Sequence, residues 1–507
     1  MRRLVCTILL LSLVAMGGAP AAFAGKANDT LTFTFDEELV TADQYFDTSR
    51  AGVVVAGLIY DTLIYRDPKT FDYKPLLAAS YTFLDNKTID FELRKGVKFH
   101  NGEEFDADDV VYTLNWVSDP KNGVKTQRAV NWIERAEKLG KYKVRLIMKR
   151  PFPAALEYLA GPLPIYPKDY YSKVGSPVMG VKPVGTGPYK VVEMEPGSKT
   201  VFVKNQEYFK GSPKGQPSIG KIVFRTIPEQ NTRIVELMSG GVDWIWRVNI
   251  DQADKLAKMP KIQMVSCQTM RIWYLQFDAC NRAKKNPPTT KLKVRQAICY
   301  AIDRPTLVKT LVKGGSKLVN AACFPTQFGC TNDVKKYNYD PAKAKALLKE
   351  AGYPNGFEIE IYTLSRYQQV VEGIAGYLKA VGIKASPNIL TYTALREKIR
   401  AGVIPIDVLT WGSYSLNDVS ASTSNFFKGS GDDTARDPEV IKWLEIADTS
   451  VDPEVRKANY KKALQRIAEQ AYWFPLWSYS TNYAFTKDLD FTPTEDEIPH
   501  FFNAKWK

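Results

Sequence analysis

RIWYLQFDACNRAKKNPPTTKLKVRQAICYAIDRPTLVKTLVKGGSKLVNAACFPTQFG, residues 271–329, is the stretch that decides the fold class. It opens on an apolar-aromatic strand over 272–277 and passes through a polar loop containing Pro287 and Pro288. A helix starts near Lys291, where Leu292, Ala297, Ile298, Ala301 and Ile302 recur at the spacing that turns one helical face to a core. Outward from there the chain reads as mixed α and β. Residues 31–35, 88–93 and 143–148 alternate as strands do, and 51–65 reads as a helix running into IYDTLIY. The Asp106 carboxylate can accept the free amides of a helix over 107–116. Asp340-Pro341 opens another helix through Ala351, stopped by Gly352, and a strand follows over 357–362. Five prolines between Pro151 and Pro167 read as a linker between lobes.

The first 24 residues read as an export signal rather than as part of a core. Arg2 and Arg3 precede an apolar run over 4–16, and Ala22-Phe23-Ala24 supplies the small residues of a cleavage site. Their removal leaves 483 residues and lowers the formal net charge from +14 to +12, because only two arginines go. That length exceeds the roughly 250–300 residues at which one core stops growing, so two or three domains are expected. Lysine and arginine are scattered, with no basic run of five, which reads as solvated surface and argues against a nucleic-acid partner. Five cysteines remain in an exported, oxidising setting. Cys323 and Cys330 bracket the turn-forming FPTQFG and are expected to pair, while Cys267, Cys280 and Cys299 leave at least one free thiol.

The order of strand, proline loop, VRQAI-YAIDR and proline resembles the bacterial extracellular solute-binding proteins of family five, the peptide and nickel binders serving ABC importers. LRKGVKFHNGEEFDADDVVYTL (93–114), PVGTGPYKV (183–191), RIVELMSGGVDW (233–244) and YDPAKAKALLKEAGYPNGFEIEI (339–361) are similar to further landmarks of that family, in the same order. The resemblance implies an α/β, two-lobed fold of the periplasmic-binding-protein type II, cluster C-like, with an extra domain inserted in the first lobe. Lobe I would comprise 25–65, 182–275 and 476–507, the insert 66–181 and lobe II 276–475. The hinge would lie near 268–282 and 475. Most of these motifs read as scaffold. Gly185 and Gly187 are expected to supply backbone angles denied to other residues, and His100 is expected to be a turn residue rather than a ligand.

The expected ligand-binding residues centre on the strand and turn over 407–418. The strand would deliver Trp411 to a Gly-Ser turn, Gly412 and Ser413, whose backbone is open beside an aromatic face. Peptide-binding relatives carry Trp-Gly-x-Asp here, the aspartate taking the α-amino group. Tyr414 stands at that place, so either Asp418 reaches in or the solute has no free amine there. The place of a carboxylate-binding arginine reads LSRYQQ, with Arg366 close but shifted. Trp246 with Arg247, and then Trp273, complete the set. No catalytic residue, metal ligand or cofactor is expected. GxSxG, HExxH and a phosphate-binding loop are absent, and only two histidines, His100 and His500, are present. The expected function is a monomeric periplasmic binder handing a short peptide or peptide-like solute to an ABC permease. The alternatives are an opine, oligosaccharide or metal chelate in the same role, and then an exported hydrolase.

Overall fold

The computed structural model describes residues 25–47, 49–282 and 285–507. The export segment expected over 1–24 lies outside the described residues. Among the described residues a ten-stranded mixed sheet runs in the order Ile383–Leu390, Phe357–Leu364, Ile406–Trp411, Ile262–Phe277, Trp473–Thr486, Trp244–Trp246, Thr30–Phe35, Lys221–Thr226, Lys199–Lys204 and Tyr189–Glu195. Two apolar cores pack on it. One gathers Leu31, Phe33, Leu58, Phe224 and Phe501, with the insert's Phe91, Leu114 and Tyr166. The other gathers Leu275, Ile298, Ile361, Leu378, Val408, Tyr460 and Trp477. Each fully buried Leu, Ile or Phe side chain contributes about 1.5–3 kcal/mol to its own core. Two cores on one sheet make the molecule two-lobed.

Only the two longest strands belong to both cores. Ile262–Phe277 pairs antiparallel with Trp473–Thr486, from Ile262 opposite Thr486 to Gln268 opposite Ser480, and resumes at Ile272 opposite Ser478. The register breaks across Thr269, Met270 and Arg271. Val265 and Cys267 touch the first core, whereas Met270 to Phe277 lie in the second. The strand is much longer than the 272–277 expected, because the polar residues among Ile262–Arg271 hide its first half from a pattern of apolar residues.

The smaller elements follow their sequence signals. Helix Ala107–Ser118 begins with a reciprocal capping box between Asp106 and Asp109, and Asp340 caps Pro341–Glu350 by accepting from Lys343 N. Ala78–Phe83, Thr88–Leu93, Lys143–Met148 and Ile133–Gly140 form a separate four-stranded sheet. The proline-rich stretch is not a linker. It carries helix Ala155–Ala160 and buries Leu163, Ile165 and Tyr166, while Tyr45 Oη donates to Pro164 O at 2.6 Å. Prolines fix irregular backbone there inside a core rather than between lobes.

Gly185 and Gly187 are needed for a different reason from the one expected. A Cβ on Gly185 would stand 2.1 Å from Ile59 O, and one on Gly187 2.4 Å from Ile59 C. Close approach of two backbones, not an unusual φ, excludes side chains there. His100 clasps the same turn, with Nε2 2.9 Å from Gly187 O, and burial pushes its pKa down to about 4. Cys323 and Cys330 form a disulfide; Cys267, Cys280 and Cys299 are unpaired.

Candidate functional site

Three guanidinium groups meet where the long strand loses its register. Arg50 is the first residue of helix Arg50–Ile59, whose Ser49 cap accepts from Gly52 N. Arg247 ends strand Trp244–Trp246, and Arg271 lies in the unpaired break. Such an irregularity bends a strand and re-aims a side chain, which here directs Arg271 at the junction of the two cores. All three converge on Glu497, a residue of the C-terminal loop. Arg271 Nε and Nη2 lie 3.1 and 2.9 Å from Glu497 Oε2, Arg50 Nη2 lies 3.4 Å from the same oxygen, and Arg247 Nη2 lies 3.8 Å from Oε1. Arg247 Nη1 also donates to Glu37 Oε1 at 2.8 Å. Burial would raise the Glu497 carboxyl, but Arg271, Arg50 and Arg247 together bring it down to about 2. Burial lowers the Arg50 pKa despite Glu497, with Arg271 and Arg247 adding to the lowering.

The turn singled out in the sequence closes over this cluster. Ser413, Tyr414 and Ser415 have φ of 50°, 52° and 62°, three consecutive left-handed residues without a glycine. That costs roughly 1–2 kcal/mol per residue and persists only where contacts over-determine it. Here Arg50 Nη1 donates to Ser415 Oγ at 2.8 Å, Arg66 Nη2 to Ser415 O at 2.7 Å, and Asn417 N to Glu157 Oε2 at 2.7 Å. Arg66 is ion-paired to Glu157, and Tyr73 Oη donates to that carboxylate. Arg247 and Glu497 are themselves left-handed, at φ 53° and 60°. Gly412 lets the turn approach Arg271, because a Cβ there would stand 2.8 Å from Nη2.

Several expected residues gather at this place. Trp411 is half-buried, its Nε1 donating to Ala421 O at 3.0 Å and its ring edge-on to Phe426 and Tyr414. Tyr414 is 58 % exposed. Gly412 lies against Arg271, and Ser413 is buried. Trp273 is buried but reaches the cluster through Tyr479, which it stacks on and which lies beside Arg271. Arg247 sits over the Trp246 ring at 4.1 Å.

Two expectations need correction. Asp418 does not turn into the cleft, since Oδ2 pairs with Arg456 Nη2 at 2.7 Å and Oδ1 accepts from Ser420 N and Oγ. Its carboxylate is committed inside the second lobe. Trp246 offers no ring face to a solute, because Trp244, Ile245 and Trp246 are all fully buried. Period two separates their faces, but both faces of this central strand are covered: the tryptophans face the first core and Ile245 a third cluster with Ile234 and Leu237. Arg366 is exposed and lies over the Tyr367 ring at 4.9 Å, and Tyr367 Oη lies 2.9 Å from Thr410 Oγ1, which accepts from Arg271 Nη1 at 3.4 Å. Sequence reasoning missed Arg50, Glu37, Arg271, Tyr479 and Glu497. Arg271 had one signal, a lone charge at the entry of an apolar strand. The others had none, since only the fold joins residues 37, 50, 271 and 497.

Among the described residues no helix is long and apolar enough to cross a membrane. The family model of bacterial extracellular solute-binding proteins, family 5, matches residues 72–434. The chain is 32 % identical over 498 residues to the glutathione-binding protein GsiB of Escherichia coli K12, covering 94 % of each. It superimposes at a TM-score of 0.81 on a dipeptide-binding protein from Pseudoalteromonas sp. SM9913 in complex with Met-Leu, at 25 % identity over 94 % of this chain and 100 % of that one. AgaA of A. tumefaciens R10, in complex with agropinic acid, gives 0.77 at 26 % identity over 94 % and 99 %. On this match the chain belongs to the bacterial extracellular solute-binding proteins of family 5.

Proposed function

We propose that this protein is an exported, non-catalytic binder of an ABC importer that captures a short peptide or peptide-like solute between its lobes and delivers it to the permease. The single observation that carries the reading is the cluster of Arg50, Arg247 and Arg271 beneath the turn Ser413–Ser415. Polar groups of both cores meet there across the two long strands. The expected boundaries at 275 and 476 move to the register break: lobe I takes 25–65, 182–268 and 481–507, the insert 66–181, and lobe II 272–477, because Met270 to Phe277 and Trp473 to Trp477 pack in the second core. The register break at 269–271 and Ser478–Ser480 is where the lobes hinge. Glutathione and Met-Leu, the ligands of two relatives, support a peptide or peptide-like solute. Trp411 and Tyr414 form its aromatic wall, with Gly412 and Ser413 as backbone contacts.

A second reading, an acidic non-peptide solute such as an opine, is favoured by one feature. Tyr414 and the committed Asp418 leave the turn without a carboxylate to hold a free ammonium group, and an unpaired buried charge is costly.

A thermal-shift panel of dipeptides, glutathione, opines, oligosaccharides and metal chelates tests both. A true ligand at a hundredfold excess over its Kd stabilises by about 2.7 kcal/mol. Small-angle scattering with that ligand should show compaction. An unchanged radius of gyration under saturation counts against capture by closure, and turnover of any hit would make the protein a hydrolase.

A further inference from the structure

We propose that Asp243 is the receptor for a primary ammonium group, the one that removal of residues 1–24 creates on Gly25, and that this ion pair latches the first strand of lobe I. The proposal rests on the reading of the protein as exported. It concerns the end of strand Trp244–Trp246 opposite to Arg247.

The start of the described chain is tied down, which chain termini usually are not. Gly25 N donates to Thr30 O at 2.8 Å, and Gly25 O accepts from Asn28 N at 3.2 Å and Thr30 N at 3.3 Å, so residues 25–30 close into a hook. The hook is held from outside as well. Gly220 N donates to Asp29 Oδ2 at 2.8 Å, Lys221 N to Asp29 O at 3.0 Å, and Lys26 Nζ to Lys507 O. It leads directly into Thr30–Phe35, an inner strand of the ten-stranded sheet.

Asp243 is what the hook faces. A Cβ built on Gly25 would stand 3.7 Å from Asp243 Oδ1 and within 4 Å of no other described residue beyond its chain neighbours. The amine and that Cβ hang from the same Cα, so a chain beginning at Gly25 sets its ammonium beside this carboxylate. Asp243 is 4 % exposed, and Oδ2 accepts from Thr32 N at 2.7 Å. Burial pushes its pKa up to about 7, opposed only by that hydrogen bond. Asp61 and Asp418, buried as deeply, each have a cation at 2.7 Å, from Lys214 and Arg456. Among the described residues Asp243 has none. A buried carboxylate without a cation is costly, and an adjacent ammonium removes that cost.

The position gives the charge its effect. Asp243 N donates to Thr32 O at 2.8 Å and Asp243 O accepts from Thr486 N at 2.9 Å, so this residue joins Thr30–Phe35 to Trp473–Thr486, a strand shared by both cores. In the uncut chain Gly25 N is a neutral amide whose one hydrogen goes to Thr30 O. A signal peptidase would hydrolyse the Ala24–Gly25 bond with one water, leaving a carboxylate on Ala24 and an ammonium on Gly25. Of its three hydrogens one can stay on Thr30 O, and the others are free for Asp243 Oδ1.

Mass spectrometry of the secreted protein gives its first residue, which should be Gly25. Chains beginning at Gly25, or with one serine added before it, are then melted with and without Asp243→Asn. The chain with the free Gly25 amine should melt higher by about 2–4 °C, and the gap should vanish in Asp243→Asn. Carbon-13 NMR of the reductively methylated amine, which keeps its charge, should place its pKa about one pH unit above the ordinary range of about 7.7–8.0. Asp243→Asn should return it to that range. The melting advantage, carried by a raised amine, should be lost as pH rises through the raised value. If Asp243→Asn does not fold, the titration of the unsubstituted protein decides alone. Equal melting of the two chains, an unshifted amine, or a gap that survives in Asp243→Asn overturns the latch and leaves export and solute capture standing. A secreted chain that starts elsewhere also overturns it, and one that keeps residues 1–24 overturns the export reading with it.

Discussion

Two groups of arginines, one in the second core and one where the two cores meet, serve opposite ends. Arg295 and Arg304 sit in the second core, 3 % and 4 % exposed, and no carboxylate lies within ion-pair distance of either among the described residues. Arg304 donates to Val319 O and Pro475 O at 2.8 Å, to Asn320 Oδ1 at 2.9 Å and to Tyr337 O at 3.3 Å. Arg295 does the same for Thr289 O, Thr290 O and Gln470 O. These guanidiniums replace backbone partners that loops cannot supply for themselves. Arg50, Arg247 and Arg271 instead face carboxylates, stay partly open and sit amid left-handed backbone. An arginine saturated by carbonyls is scaffold, and one held by a carboxylate at an opening still has donors to offer.

The largest expected effect would break that contrast if it failed. Arg304→Met removes the donor to four buried acceptors, and it should cost about 3–5 kcal/mol of stability, the scale for removing one partner from a buried charged network. Arg50→Met removes one donor to Ser415 and Glu497 but leaves the Glu497 carboxylate paired with Arg271 and Arg247, and it should cost about 1–3 kcal/mol. Chemical denaturation of both variants measures the gap. Comparable losses would mean that the cleft arginines are scaffold too.

Acid should separate the groups next. Glu497 has its carboxyl held near 2 against an ordinary 4.5, burial being outweighed by Arg271, Arg50 and Arg247. A depressed acid contributes stability that is complete above about 4.5 and is lost as pH falls through about 2. The full shift corresponds to about 3 kcal/mol. Glu497→Gln should remove this part of the acid limb of a stability-against-pH curve and lower the plateau above it. Arg304, with no carboxylate partner, should contribute nothing to that limb. An identical acid limb in Glu497→Gln and wild type would refute the assignment.

The same contrast explains what the sequence could reveal. The motif VRQAI-YAIDR is legible through its apolar spacing, while Arg295 and Arg304 within it bind carbonyls both nearby, at Thr289 and Thr290, and far along the chain, at Gln470 and Pro475. Periodicity likewise exposes helix Leu292–Ala301, and capping chemistry exposes Ala107–Ser118. Glu497 lies in TEDEIPHFF, a loop with no periodicity, and its partners come from 226 to 447 residues earlier. The turn at 411–415 was legible from its composition, but the direction of Asp418 was not, because that depends on Arg456 one helix away. Local chemistry writes scaffold into the sequence, whereas the site is written in contacts made only after folding.

A middle-sized effect tests how the turn is braced. The disulfide loop lies against the segment after the turn, with Gln327 Nε2 donating to Leu416 O at 2.8 Å, Phe328 N to Asn417 O at 3.1 Å and Val419 N to Phe328 O at 3.0 Å. Closing so short a ring restricts the unfolded chain by about 2.5 kcal/mol on loop-entropy grounds. Cys323→Ser with Cys330→Ser should lose about that much, with faster hydrogen exchange at Phe328 and Val419. Unchanged exchange there would show that the second lobe, not the disulfide, holds the turn.

The smallest effect on stability should be the most selective. Gly412 is half-buried and its φ of −102° suits any residue, so an added methyl strains no backbone. Its Cβ would meet only Arg271, at 2.8 Å from Nη2 and 3.0 Å from Cζ, the mobile end of a long side chain. Gly412→Ala should therefore cost under about 1 kcal/mol, within the range of substitutions that disturb no buried network. Yet Arg271 must shift by a few tenths of an ångström away from the turn, loosening its 2.9 Å contact with Glu497. Denaturation midpoints and the affinity for the solute found in the thermal-shift panel should then come apart, the first nearly unchanged and the second reduced. A large stability loss would mean that Arg271 cannot move and belongs with Arg304; an unchanged affinity would mean that the turn and the arginine act independently.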